Sequence, residues 1–423
     1  MLFPWYVLCL LFVLPFVDPR RPFRLIHLDL GVLLAVGLWP LHDFLQGGSS
    51  SSGASIVTAI GLAYLLGRLV WSGFRRSAGR GPLIPVVPVA WLVIGVALLA
   101  GFRIGYLLAD PVLVIDVGEA SVEGADRITH GRALYEGGLG KDVEGGDTYG
   151  PVAYLAYVPF EQVVPRGELS WRAARVAAPT FDLLTMVGLF FLGIRLRRGR
   201  EGEALGVALA YAWASYPYTL LVLRYSFNDG LVALLVLASL LAIAHPARRG
   251  ALVALAAATK FAPAVLAPLL ATGTGERRPR AILSFAAAFV AVTLAVYLPF
   301  IPDGGLRELY DRTLGFQDER LGWMPLWGRV PELDWLQTAA QVLVVGMAIL
   351  FAFVPRHRTL AQIAALAAAL IVAAELSATN WFSTYAVWFA PAAFVGIFAG
   401  THEGPPAWAA PRRKGKGAVA QPP

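Results

Sequence analysis

The sequence predicts an all-α, polytopic membrane protein, and three observations carry that prediction. Of the 423 residues, 57% are hydrophobic and only 15% are charged, with a mean hydropathy of +0.63. A soluble protein of this length carries about 25% charged residues. Many apolar runs approach or exceed the roughly 18–20 residues that cross a bilayer. These runs are rich in Ala, Leu and Val without strict alternation, which argues against a membrane β-barrel.

The net charge of +7 is concentrated in short arginine-rich loops between the apolar runs. This placement indicates membrane topology and not a nucleic-acid partner, because cytoplasmic loops carry an excess of Lys and Arg. The basic loops are DPRRPFR (18–24), RRSAGRG (75–81), RLRRGR (195–200), HPARRG (245–250), GERRPR (275–280), PRHR (355–358) and PRRKGKG (411–417).

The apolar runs between these loops predict about eleven crossings within one transmembrane domain, residues 1–400. The first run lacks a basic segment before it and a cleavage site after it, so we interpret it as a retained span. The predicted spans are 2–17, 25–41, 54–73, 83–108, 173–194, 203–222, 230–245, 281–300, 335–354, 359–376 and 383–399.

The alternation of basic and non-basic loops places two long loops, 109–172 and 301–334, outside the cytoplasm. Residues 401–423 are predicted to be a disordered, basic cytoplasmic tail.

Segment 251–273 is apolar but has basic loops on both sides, and a lysine and two prolines interrupt it. We interpret it as a re-entrant pair of half-helices, since irregular backbone at membrane depth must be buried or line a cavity. The alternative is an ordinary span.

An acidic stripe follows the fourth predicted span, in IDVGEASVEGADRITHG (115–131). Its members are separated by steps of three and four residues, which places all of them on one face of a helix. Like charges at this spacing destabilise a helix, so the pattern favours a functional site over a merely solvated face. The spacing alone leaves both interpretations open, a functional site and a solvated acidic face. The stripe consists of Asp116, Glu119, Glu123, Asp126 and His130.

General-base chemistry and metal binding are both open to such a stripe. Carboxylates and a histidine could bind a divalent cation, with Asp116, Glu119 and Asp126 as ligands, but helical spacing does not specify metal geometry. No cofactor is otherwise indicated. Further along the same loop, Asp147 and Tyr149 open a half-apolar aromatic stretch that we expect at the membrane surface.

Three cations, Arg224, Lys260 and Arg320, lie in or beside apolar surroundings and could hold a phosphate. Lys260 could instead extend to the cytoplasmic interface, and Arg320 could pair with a loop acid. Further polar or aromatic candidates for sugar or lipid contacts are Asn228, Asp229, Gln317, Trp381 and Tyr385.

An acidic helix beside cations and aromatic rings suits a substrate with a phosphate at membrane level and a hydroxyl to be deprotonated. A lipid-phosphate sugar fits this description. A transporter or flippase predicts charges at mid-membrane and an internal repeat, neither of which we find in the sequence. The sequence also leaves open a polysaccharide polymerase or ligase and a non-catalytic scaffold.

The chain resembles the GT-C-type membrane glycosyltransferases, and is most similar to glycosyltransferase family 87 of the actinobacterial type. The resemblance extends from about residue 105 to 399. It rests on IDVGEASVEGADRITHG, DTYGPVAYLAYVPFE, AYAWASYPYTL with NDGLVALL, ATKFAPAVLAPL, YDRTLGFQDER and NWFSTYAVWF.

The resemblance implies a polyprenyl-phosphate sugar donor, commonly mannose, a glycolipid or glycan acceptor, and an active site outside the cytoplasmic membrane. It implies that Asp116 is the catalytic base, with Asp126 and Glu119 as the next candidates. Two departures concern acceptor contacts: LGWMPLW (321–327) stands where the family often has a Ser-Pro-Phe-Ser-like run, and Asn380 stands where it often has histidine.

Overall fold

The computed structural model describes residues 3–20, 22–47, 52–75, 87–109, 114–135, 139, 148–164, 172–275, 278–319, 327 and 334–399. Within these ranges the chain forms helices and turns, and no strand. The predicted tail, 401–423, lies outside the described residues, as does LGWMPLW apart from Trp327.

The α-helices of the described ranges are α1 (Phe3–Val13), α2 (Leu25–Leu45), α3 (Ser52–Phe74), α4 (Val89–Ala109), α5 (Asp116–Thr129), α6 (Val152–Leu155), α7 (Val158–Val163), α8 (Arg172–Leu196), α9 (Arg200–Ser215), α10 (Pro217–Arg224), α11 (Asp229–Leu241), α12 (Pro246–Ala257), α13 (Ala267–Thr272), α14 (Pro279–Tyr297), α15 (Gly305–Tyr310), α16 (Phe316–Glu319), α17 (Asp334–Phe353), α18 (Leu360–Ser377) and α19 (Ala386–Phe398). Short 3₁₀ turns at Leu14–Phe16, Ala262–Leu266, Leu298–Phe300 and Ser383–Tyr385 and a π-helical turn at Asp311–Gly315 complete the set.

The predicted all-α membrane class is confirmed, whereas the number of crossings is not. In the described ranges, seven helices are long and apolar enough to cross a membrane, or eight if the bent pair α9–α10 forms one span. The other three predicted spans coincide with shorter apolar helices, Phe3–Phe16, Asp229–Leu241 and Ser383–Phe398. Eleven crossings therefore remain a prediction.

Helix α18 lies at the centre of the bundle, with 78% of its apolar window buried inside the protein. It packs closely because glycines face it: Gly73 of α3 meets Leu366, and Gly396 of α19 meets Ala365. The corresponding windows of α4 and α17 are 17% buried, and that of α14 is 6% buried. These apolar but exposed helices form the lipid-facing periphery, since lipid tails solvate them as well as protein does.

The span predicted at 203–222 is bent by 56° between α9 and α10. Pro217 has no N–H, so the carbonyl oxygen of Trp213 loses its helical donor. Three other donors replace it: the backbone N–H of Tyr216 at 3.2 Å, Arg103 of α4 at 3.2 Å and the Thr219 hydroxyl at 3.1 Å. The Arg103 guanidinium is itself paired with Asp182 of α8 at 2.9 Å and is 3% exposed. A buried ion pair thus stabilises the bend.

The segment predicted to be re-entrant consists of the greater part of α12, a break at 258–261, a 3₁₀ turn and α13. Its two ends lie together, because Arg249 donates to the carbonyl oxygen of Ala271 at 3.2 Å. The chain therefore reverses at the break, where Lys260 stands. The membrane face of these ends remains a prediction.

Some of the arginines that mark the predicted cytoplasmic loops are buried. Arg249 is 1% exposed and also donates to the carbonyl oxygen of Ile243, which follows α11. Arg358 is 5% exposed and donates to Thr272 Oγ1 at 2.7 Å and to the carbonyl oxygen of Phe351 in α17. Their guanidinium groups satisfy carbonyl oxygens at helix C-termini, where cations are favoured.

Candidate functional site

Helix α5 has the amphipathic pattern that the acidic stripe predicts. Asp116, Glu119, Glu123 and Asp126 are half-buried, and His130 follows the last helical residue. The opposite face is buried and packs on protein; it consists of Val117, Gly118, Ala120, Ser121, Val122, Gly124 and Ala125. The helix is stabilised by this packing, which offsets the repulsion between its carboxylates.

The four carboxylates of α5 differ in their partners. Glu123 pairs with Arg127 at 3.1 Å. Asp126 accepts from Arg132 and lies 3.1 Å from His130 Nδ1. Among the described residues, neither Asp116 nor Glu119 forms an ion pair. Within the described ranges, Asp116 accepts one hydrogen bond, from the backbone N–H of Val117 at 2.7 Å. The two carboxylates in the first turn of α5, Asp116 and Glu119, therefore differ from Glu123 and Asp126, which are paired with cations.

The start of α5 lies beside the end of α10. The backbone N–H of Ile115 donates to the carbonyl oxygen of Tyr225 at 2.9 Å. Asp116 and Arg224 are each adjacent in sequence to one of these hydrogen-bonded residues. The Arg224 guanidinium lies over the rings of Tyr106 and Tyr225, at 5.6 and 5.4 Å from their centroids. A predicted base and a predicted phosphate ligand thus share one neighbourhood.

Close packing holds α5 against the turn 225–229. A Cβ on Gly118 would lie 2.5 Å from the carbonyl oxygen of Ser226, so only glycine permits this approach. Ser226 itself has a φ of 57°, a left-handed conformation that few non-glycine residues adopt. Asn228 is fully buried and its side-chain amide lies 3.4 Å from Ser121 Oγ.

A later part of the same long loop packs on α5 from another direction. A Cβ on Gly124 would lie 2.3 Å from the ring of Tyr154, which is fully buried in α6. The loop is in turn bound to the break between α12 and α13: the amide of Val152 donates to the carbonyl oxygen of Ala258 at 3.0 Å. Gly150 packs against the same carbonyl group.

Lys260 is enclosed at the break between α12 and α13 and is 5% exposed. Its Nζ lies 2.8 Å from Oδ1 of Asp229, which is fully buried. It also lies 5.1–5.3 Å from the ring centroids of Tyr149, Tyr385 and Trp388. The Trp388 indole N–H donates to the same Asp229 oxygen at 2.6 Å. Lys260 therefore does not extend to an interface.

The second long loop reaches the first one through Gln317. Its side chain donates to Thr148 Oγ1 at 3.0 Å, and its carbonyl oxygen accepts from Thr379 at 3.2 Å. The neighbouring Asn380 lies 3.5 Å from the Tyr385 hydroxyl. Of the other predicted site residues, Asp147 and Arg320 lie outside the described residues.

Trp381 is 4% exposed, and its indole N–H donates to Glu375 at 3.0 Å. Glu375 is a buried carboxyl group near the end of α18 that was not among the predicted site residues, although an acid in an apolar span is a visible signal. Within the described ranges, no three Asp, Glu, His or Cys side chains converge on a metal site.

The part of the chain that carries these contacts also matches a known family. The model of glycosyltransferase family 87 matches residues 148–399, more than half of the chain. This range includes the turn 225–229, α12, α13 and α19, and it begins after α5. No curated protein matches the sequence.

Proposed function

The chain belongs to glycosyltransferase family 87 and is therefore a membrane glycosyltransferase; we propose that it transfers a sugar from a polyprenyl-phosphate donor to a glycolipid or glycan acceptor. Mannose is the first candidate for the sugar, because the resemblance of the sequence motifs implies it. We assign the reaction to the outer face of the cytoplasmic membrane, where the arginine-poor loops are predicted to lie.

The observation that carries this proposal is the neighbourhood of Asp116 and Arg224, joined by the hydrogen bond between Ile115 and Tyr225. Transfer from a lipid phosphate needs a base for the acceptor hydroxyl and a cation for the leaving phosphate. A half-buried carboxylate and a guanidinium that lies over aromatic rings supply both kinds of group at one end of the bundle.

In the proposed reaction, Asp116 removes the proton of an acceptor hydroxyl as that oxygen attacks the anomeric carbon. The bond between this carbon and the phosphate oxygen breaks, and its electron pair leaves with the polyprenyl phosphate. Attack from the side opposite the leaving group inverts the configuration. The phosphate leaves as a stable anion, so protonation of the leaving group by a strong acid is not required.

Arg224 is the described cation that we assign to the leaving phosphate, because its planar guanidinium can donate two parallel hydrogen bonds. Arg320 is a second candidate from the sequence. Glu119, Glu123, Asp126 and His130 continue along α5 from the base, and we assign them to the acceptor side of the site. Two of these carboxylates are paired with arginines: Glu123 with Arg127 and Asp126 with Arg132.

Transfer of radiolabelled mannose from synthetic polyprenyl-phosphate mannose by the purified protein in detergent tests this function. We expect a labelled product that requires a lipid extract as the source of acceptor, and no product with nucleotide-linked mannose. Movement of the intact donor between leaflets without a labelled product would instead support a flippase. Elongation of a lipid-linked glycan by whole repeats would support a polymerase.

A further inference from the structure

Building on the proposed function, we propose that Lys260 is a positioning residue and not a ligand of the donor phosphate. Its ion pair with Asp229 joins the two supports of the acidic helix α5: the turn 225–229 and the loop segment 149–154. By joining them it fixes where Asp116 stands relative to the acceptor.

The turn 225–229 supports the first half of α5. The carbonyl oxygen of Tyr225 accepts a hydrogen bond from the Ile115 amide. The carbonyl oxygen of Ser226 packs against Gly118. The side-chain amide of Asn228 lies beside the Ser121 hydroxyl. These contacts occur on the buried face of the helix. Asp229 ends this turn and begins α11, so its carboxylate is rigidly connected to the first support.

The loop segment 149–154 supports the second half of α5 through Tyr154, which packs on Gly124. The same segment is bound to the re-entrant tip by the hydrogen bond from Val152 to Ala258. Ala258 precedes Lys260 by two residues, and the Tyr149 ring lies 5.1 Å from the Lys260 ammonium. Lys260 is therefore connected to the second support by backbone and by side chain.

The ion pair between Lys260 and Asp229 connects the second support of α5 to the first. Both groups are withdrawn from solvent, with side-chain exposures of 6% and 0%. Removal of one partner from such a pair leaves an uncompensated buried charge, whereas removal of both does not. The rings of Tyr149, Tyr385 and Trp388 also restrict the ammonium to this position, and the Trp388 indole N–H holds the Asp229 carboxylate. A phosphate would have to compete with Asp229 for it.

A double-substitution cycle separates positioning from phosphate binding. We expect Lys260→Met and Asp229→Asn each to lower kcat about 100-fold, because small displacements of a reacting group have effects of this size. The KM for the donor should change by less than about threefold, since uniform donor binding is intact. The combined variant should transfer faster than either single variant, because it leaves no unpaired buried charge.

Backbone amide exchange provides a readout that does not depend on activity. We expect Lys260→Met to accelerate exchange of the Val152 amide about tenfold or more, as the hydrogen bond to Ala258 opens locally. A matched control is Arg68→Met, which breaks another ion pair between helices, with the buried Asp29 at 3.0 Å between α2 and α3. Exchange at Val152 should be unchanged in that control.

Two results would overturn the proposal. In the first, Lys260→Met raises the donor KM at least tenfold, Asp229→Asn is active and the combined variant is no better than Lys260→Met; Lys260 then binds the phosphate. In the second, Val152 exchange is the same in Lys260→Met as in the unaltered protein.

If the unaltered protein transfers no sugar at all, the proposed function fails, while the exchange measurements still decide the positioning role. If Lys260→Met does not fold, the combined variant must fold for the proposal to stand.

Discussion

The backbone N–H of Ile115 donates to the carbonyl oxygen of Tyr225 at 2.9 Å, and this bond joins the first turn of α5 to the end of α10. Two residues of opposite charge flank it, Asp116 and Arg224. The predictions for the reaction follow from this arrangement, because it relates a candidate base and a candidate phosphate ligand that are distant in sequence.

Asp116→Asn should lower kcat by about 100-fold or more, because general-base catalysis contributes about 100- to 10,000-fold. The substitution preserves size and the hydrogen bond from Val117. Initial rates of labelled-sugar transfer measure the effect, with Asp18→Asn, a half-buried carboxylate in the predicted cytoplasmic loop 18–24, as a control that should retain most activity. Near-normal transfer by Asp116→Asn together with loss in Asp126→Asn would move the base to Asp126.

Arg224→Gln should reduce kcat/KM for the donor about 100-fold or more, as removal of a charge-stabilising donor does in other oxyanion sites. Arg224→Lys should recover only part of that loss, because an ammonium cannot donate in the planar, paired geometry of a guanidinium. Donor titrations at fixed acceptor concentration measure both variants. Equal activity of Arg224→Lys and the unaltered protein would show that a point charge is sufficient.

Gly118→Ala should destabilise the protein by about 1–3 kcal/mol, since an added Cβ would meet the Ser226 carbonyl oxygen and separate α5 from its support. Gly101→Ala in α4 is the matched control, because a Cβ there meets nothing within 4 Å. Thermal unfolding in detergent compares the two variants. A Tm for Gly118→Ala at or above that of Gly101→Ala would contradict the close packing.

Asp182→Leu should destabilise the protein by about 3–5 kcal/mol, because it leaves the buried Arg103 charge without its partner. Asp311→Asn is the comparison: its ion pair with Arg307 spans 3.9 Å with side-chain exposures of 63% and 93%, so the change should be within about 1 kcal/mol. Unfolding by heat or denaturant measures both. Similar losses in the two variants would contradict the structural account of the bend.

The sequence predicts α5 well because all of the information is local. Steps of three and four residues between Asp116 and His130 define a helix face. The structure places Ser226 and Tyr154 against Gly118 and Gly124 on the opposite face of that helix. What the periodicity does not contain is the identity of these partners, since they come from segments distant in sequence.

Long-range pairing explains the remaining differences. Lys260 and Asp229 are each visible in the sequence as polar residues in apolar surroundings, but nothing in their separation of 31 residues indicates that they meet. The bend at Pro217 follows a visible proline, yet one of the donors that compensate for it is Arg103, on α4. The number of crossings stays a prediction for a related reason: helices such as α11 are apolar but shorter than a bilayer, and only packing decides their depth.

The Arg103–Asp182 pair also has a consequence for biosynthesis. Helix α4 leaves the ribosome before α8 and α9, so a nascent chain carries the arginine before either its carboxylate partner or the carbonyl oxygens of the bend exist. A guanidinium inside a bilayer is costly on its own, by about 2.5–3.5 kcal/mol on the insertion scale. Until α8 and α9 have been made, α4 therefore carries an arginine whose buried partners are missing, so the stability of an early helix depends on the synthesis of later ones.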